Sequence, residues 1–130
     1  MLIEFLLQTN QRNQFIDITK KIDKEIVKNN FKNWSCIVYT THTTCGITIN
    51  EWFDPDVLDD INSFLDNKIW ENPIYKHSEW NSDSHIKSSL IWVSQQLIIS
   101  EWKLLLWTWQ KVIFCEFDWP RQRKCFLKIV

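Results

Sequence analysis

The 130-residue sequence has a single glycine, where an ordinary soluble chain of this length carries roughly nine. A chain so poor in glycine has no Gly-rich phosphate loop, no dinucleotide-binding fingerprint and no Gly-x-Ser-x-Gly nucleophile elbow. No apolar run approaches the ~20 residues that a membrane helix requires. Met-Leu-Ile-Glu-Phe-Leu-Leu at the start is too short, and too acidic at Glu4, to read as a signal peptide. Neither sign of charge dominates, with 15 Lys and Arg against 16 Asp and Glu and a net charge of −1. No global basic field is therefore available for nucleic acid. These absences predict a soluble cytoplasmic protein without nucleic-acid or membrane partners. The four cysteines, Cys36, Cys45, Cys115 and Cys125, include no Cys-x-x-Cys pair. Most of them lie in apolar, strand-like runs, so reduced core thiols are expected rather than disulfides or a zinc cluster.

What is present is an excess of tryptophan, nine residues in a chain that is 45% hydrophobic and 24% charged. That overall balance belongs to a folded protein, and the length suits one domain spanning 1–130. Strands are expected at Ile3 to Gln8, Phe15 to Ile18, Ser35 to Thr40 and Ile47 to Glu51, where β-branched and aromatic residues concentrate. Ile18, Ile22 and Ile26 recur every fourth residue among lysines and acids, the pattern of an amphipathic helix ending near Asn29-Asn30. Asp54-Pro55-Asp56 reads as a helix start, with Asp54 as cap and Pro55 where its missing N–H is harmless. A polar stretch from Asn67 to Asp83 is long enough to be a functional loop. A short helix is expected from Ser82 to Leu90, capped by Ser82 or Asp83. Strands at about Val93 to Ile99, Lys103 to Leu106, Lys111 to Asp118 and Lys124 to Val130 complete the chain. With no repeating βαβ unit, this order predicts an α+β fold of mainly antiparallel sheets with two to three helices.

Several tryptophans stand where turns normally hold glycine. Trp102 lies in Ser100-Glu101-Trp102-Lys103 between two apolar strands, and Trp119 in Asp118-Trp119-Pro120. Trp52 and Trp80 sit in similarly polar contexts. Tight turns favour a residue at positive φ, which a side chain with a Cβ resists, and an indole there leaves apolar surface in water.

The motifs His42-Thr43-Thr44, Ile47-Thr48-Ile49-Asn50-Glu51, Asp54-Pro55-Asp56-Val57, His77-Ser78-Glu79, His85-Ile86-Lys87-Ser88-Ser89-Leu90, Thr108-Trp109-Gln110 and Glu116-Phe117-Asp118-Trp119-Pro120-Arg121 follow in order along the chain. Together they resemble the YjbQ-like family, small proteins sometimes called secondary thiamine-phosphate synthases. The resemblance covers essentially the whole chain. It implies glycine at the positions of Trp34, Trp52, Trp80, Trp92, Trp102, Trp107 and Trp119, and tryptophan at Trp109. Seven such replacements would leave eight glycines and two tryptophans, an ordinary composition. The expectation is that the gene's UGA codons specify glycine and have been translated as tryptophan.

Spacing alone gives little metal signal, because His42, His77 and His85 are separated by 35 and 8 residues, and unrelated surface histidines would look the same. The resemblance places all three in one polar pocket, as ligands for a divalent metal, zinc or magnesium. It further assigns catalysis to His42, His85, Glu116 and Arg121, and ligand binding to Lys87, Thr43, Thr44 and Asn81. Glu116 and Asp118 alternate on one expected strand and could orient a histidine or hold a hydrated cation. Arg123 reads equally well as an edge-strand charge in water, and Cys45 near His42 as a weak nucleophile candidate. Two functions follow. One is a weak thiamine-phosphate synthase that joins a pyrimidine diphosphate to a thiazole phosphate and releases pyrophosphate, with cations and a metal on the leaving group. The other is a non-catalytic metal- or small-anion-binding oligomer, a homotrimer by the resemblance, whose partner is a small phosphorylated molecule.

Overall fold

A computed structural model describes all 130 residues. Its elements are β1 (Leu2–Gln8), β2 (Gln14–Asp17), α1 (Thr19–Lys28), β3 (Trp34–Thr40), β4 (Cys45–Glu51), α2 (Pro55–Lys68), α3 (Ser82–Ile91), β5 (Ser94–Ser100), β6 (Lys103–Leu104), β7 (Gln110–Glu116) and β8 (Gln122–Ile129). The strands form two antiparallel sheets, one ordered β1-β8-β3-β5-β6 and the other β2-β7-β4. The α+β expectation is met with eight strands and three helices.

The two sheets close on a shared core. Cys36 and Val38 of β3, Cys125, Leu127 and Ile129 of β8, and Leu97 and Ile99 of β5 meet Cys45 and Ile47 of β4, and Val112 and Phe114 of β7. Ile22 and Ile26 of α1 enter the same cluster with Ile18, and each has no accessible surface. Burying side chains of this size stabilises the fold by about 1.5–3 kcal/mol apiece. On the other face of the smaller sheet, Leu58 and Leu65 of α2 cover Ile113, Cys115 and Phe117. β7 is thus covered on both faces, and every residue from Val112 to Glu116 is buried.

Local chemistry fixes the helix ends. Asp54 accepts the Asp56 N–H at 3.0 Å and Pro55 occupies the first turn of α2. α1 ends in a Schellman motif: Asn30 takes φ 58°, its N–H donates to Val27 O, and the Phe31 N–H reaches Ile26 O. At the start of α3 the cap is Asn81, not Ser82 or Asp83. Ser82 already belongs to the helix, and the Asp83 carboxylate is drawn away by Arg12. β6 is shorter than expected, stopping at Leu104. The four cysteines are buried free thiols in four different strands. The only glycine, Gly46, is required by a close approach: a Cβ there would lie 2.9 Å from Ile91 Cγ2 and 3.0 Å from Trp92 O. That contact seats the end of α3 on β4. No helix is long and apolar enough to cross a membrane.

Candidate functional site

α3 and the β3–β4 connection form the walls of one cleft. Thr41, His42 and Thr43 from the connection face His85, Ser88 and Ser89 of α3, with Tyr39, Thr40, Trp92 and Val93 completing a cavity of about 390 Å³. His85, Ser88 and Ser89 share a helix face by their three- and four-residue spacing. That spacing is the signal by which Ser88 and Ser89 could have been picked from the sequence. Ser88 Oγ donates to Cys45 O at 2.6 Å and Ser89 Oγ to His85 O at 3.0 Å.

His42 is held in one tautomer. Its Nε2 accepts the Lys124 backbone N–H at 3.0 Å, which assigns the ring proton to Nδ1. Partial burial lowers its pKa from 6.5, and the cations Arg123, Arg121 and Lys124 push the same way against Glu116. His85 stands between two regions. It lines the His42 cleft and packs edge-on against His77, ring centroids 5.2 Å apart. His77 lines a second cavity of about 230 Å³ with Glu71, Tyr75, Lys76 and Trp80.

The three histidines do not gather around one point within a single chain. No group of three His, Cys, Asp or Glu side chains is arranged to hold a metal ion, and His42 Nε2 is already occupied as an acceptor. A one-chain metal centre built on His42, His77 and His85 does not fit these positions.

Other candidate residues are committed to internal ion pairs. Glu116 is fully buried and bonded by Arg123 Nε at 2.9 and 3.2 Å, by Arg123 Nη2, by Thr9 Oγ1 at 2.7 Å and by the N–H groups of Phe117 and Asp118. Arg123 is no edge charge in water: it is 1% exposed and also donates to Thr44 O and Oγ1. Thr44 is therefore a structural partner of Arg123. Asp118 lies past the end of β7, where Asn81 Nδ2 donates to it at 2.9 Å and Arg121 Nη2 approaches within 3.4 Å. Lys87, assigned above to a ligand, is 1% exposed, with Nζ 2.5 Å from Asp66 and 3.8 Å from Asp83. No local pattern marks Asp66, or Arg12, whose guanidinium grips Asp83 at 2.9 and 3.0 Å. Burial pushes the Cys45 thiol up to about 11, so it carries no nucleophilic role.

Thr43, His42 and His85 line the cleft together, and Arg121 keeps a partly solvated side chain near His42. At the start of α3, Asn81 Oδ1 and Ser82 Oγ are buried with no hydrogen-bond partner. Such groups are normally satisfied, and leaving them so is unfavourable.

Two antiparallel sheets sharing a core, with a histidine- and hydroxyl-lined cleft beneath the third helix, define a small α+β domain whose site sits at the junction of a strand connection and a helix. The family model described as UPF0047 protein YjbQ-like matches residues 3–130, and the chain belongs to this family. A UPF0047 protein of Methanocaldococcus jannaschii is 46% identical over 130 residues, covering 100% of this chain and 94% of that one. YugU of Bacillus subtilis, also a UPF0047 protein, is 39% identical over 131 residues, covering 100% and 99%. Among solved structures, an uncharacterised YjbQ/UPF0047 protein of Clostridium acetobutylicum matches with a TM-score of 0.94 and 48% identity, over 98% of this chain and 99% of that one.

Proposed function

We propose that this protein binds a small phosphorylated molecule in the cleft between the β3–β4 connection and α3, as a non-catalytic anion-binding oligomer. The observation that carries the reading is the cleft's donor chemistry. The imidazoles of His42 and His85 and the hydroxyls of Thr41 and Thr43 line it, and Arg121 and Lys124 add positive potential beside His42. Hydroxyl and N–H donors in a cationic surround suit phosphate oxygens. Titration with pyrophosphate or inorganic phosphate tests it: saturable binding should weaken in His42→Ala, His85→Ala and Arg121→Ala.

The catalytic reading, a weak thiamine-phosphate synthase, needs cations placed on a leaving diphosphate. Arg121 is the one assigned cation that keeps solvent access, since Lys87 is sealed in ion pairs with Asp66 and Asp83. Glu116 is likewise sealed by Arg123 and has no freedom to move a proton. This favours binding over turnover. Synthase activity that depends on His85 and Arg121 would restore the catalytic reading.

The oligomeric part of the proposal, a homotrimer, draws on the outer face of the five-stranded sheet. Leu2, Leu6, Tyr39 and Ile98 are exposed there, and Tyr39 packs beside Phe126 with ring centroids 6.4 Å apart. A sheet face carrying this much apolar surface calls for a cover, and a second and third copy of the chain supply one. Light scattering of the purified protein should give three times the chain mass. A monomer at micromolar concentration would overturn that part.

A further inference from the structure

At four positions the backbone takes a conformation that favours glycine, where the sequence has tryptophan. Six non-glycine residues have positive φ: Asn30, Trp80, Trp92, Glu101, Trp102 and Trp119. Asn30 needs no comment, because asparagine tolerates the left-handed region. Four of the other five are tryptophan, and a bulky residue at positive φ is a true outlier.

Each of the four is fixed by its surroundings. Trp92 closes α3 at φ 82°, ψ 155°, a region that is essentially glycine-only. It is pinned there by its own N–H on Ser88 O and by Ile47 N–H on its carbonyl, both 2.9 Å. Glu101 and Trp102 form a two-residue hairpin loop, with Ser100 paired to Lys103 and positive φ at both central residues. That is the signature of a type I′ turn, whose second place favours glycine. Trp119, at φ 67°, directly precedes Pro120, and the residue before proline is sterically driven to extended backbone at negative φ. Trp80, at φ 58°, leads into the cap of α3. None of the four indoles is buried in the core: Trp80, Trp92 and Trp119 are well exposed, and Trp102 meets only surface partners, donating from its ring nitrogen to Asn30 Oδ1 at 2.8 Å beneath Lys32. Trp109 behaves differently: its φ is not positive, and its ring stacks on Phe53 at 5.3 Å.

We infer that residues 80, 92, 102 and 119 are glycine in the native protein, inserted at UGA codons that its own translation machinery reads as glycine. Trp34, Trp52 and Trp107 have φ values that are not positive, so the backbone makes no such case there. The consequence reaches the cleft. Trp92 is part of its wall, Trp80 lines the adjoining His77 cavity, and Trp119 stands between Asp118 and Arg121 beneath the Arg12 guanidinium, 5.7 Å from the ring centroid. With glycine at these places the cleft loses the Trp92 indole from its wall and the adjoining cavity loses that of Trp80.

Peptide mass spectrometry of the protein from its native cells decides the matter. The expected result is glycine at 80, 92, 102 and 119 and tryptophan at 109. Tryptophan at the four positions overturns the inference. A second readout uses protein made in a standard-code host. The W80G/W92G/W102G/W119G variant should melt several degrees above the all-tryptophan chain, while W109G should melt below it. An equal or lower melting temperature for the fourfold variant contradicts the inference.

Discussion

Arg123 and Glu116 form an ion pair from which water is excluded, with Arg123 Nε 2.9 Å from Glu116 Oε1 and Thr44 and Thr9 bonded to the two partners' free valences. The pair joins β8 of one sheet to β7 of the other directly behind His42. Removing one member strands the other as an unpaired buried charge, which costs about 3–5 kcal/mol. Arg123→Met and Glu116→Leu should therefore each destabilise the protein by that order in urea unfolding. The double variant Arg123→Met/Glu116→Leu should recover part of the loss. Two small, additive single effects would show that the pair is not coupled.

Lys87 and Arg121 make a contrasting pair. Lys87 ties α3 to Asp66 of α2, so Lys87→Met should lower stability by roughly 1–3 kcal/mol through the unsatisfied partners it leaves. Arg121 is partly solvated, so Arg121→Ala should change the unfolding midpoint little and weaken anion binding instead. The reverse pattern, a stable Lys87 variant with lost binding, would assign the ligand contact to Lys87.

His42 gives a pH dependence of definite sign. Its pKa in the folded chain lies below 6.5, so the unfolded chain takes up the proton first as pH falls. Its contribution to stability is complete above about pH 6.5 and declines below it. Melting temperatures between pH 7.5 and 5 should fall for the parent protein, and the fall should be shallower in His42→Gln. An NMR titration placing the His42 pKa above 6.5 would contradict this.

The cysteines should be inert in the native state. Burial pushes Cys36 and Cys125 up to about 12 and Cys45 to about 11, and Cys115 higher than its ordinary value. Iodoacetamide at pH 8 should label none of the four rapidly until denaturant is added. Fast labelling of Cys45 in the folded protein would reopen it as a nucleophile.

Much of the fold was legible because its signals are local. Asp54-Pro55-Asp56 announced α2, the four-residue recurrence of isoleucine announced α1, and β-branched runs marked most strands. The site was legible only in part. His42, Thr43 and His85 line one cavity, yet the roles of Lys87, Glu116 and Thr44 depend on partners far away in sequence. Asp66 lies 21 residues from Lys87, and Thr44 lies 79 from Arg123. The pairing of Glu116 with Asp118 on one strand failed for another reason: β7 is covered on both faces, so alternation along it does not separate inside from outside, and Asp118 lies beyond its end. The tryptophans were readable as misplaced from their polar contexts, but only the φ angles distinguish the four positions with a steric demand from Trp34, Trp52 and Trp107.

The most direct test of the proposed anion site is calorimetric titration of the protein with pyrophosphate, set beside the same titration of His85→Ala. The account predicts saturable binding that weakens at least tenfold when the imidazole is removed, with the melting temperature nearly unchanged. Absence of binding, or binding that His85→Ala leaves intact, would contradict it.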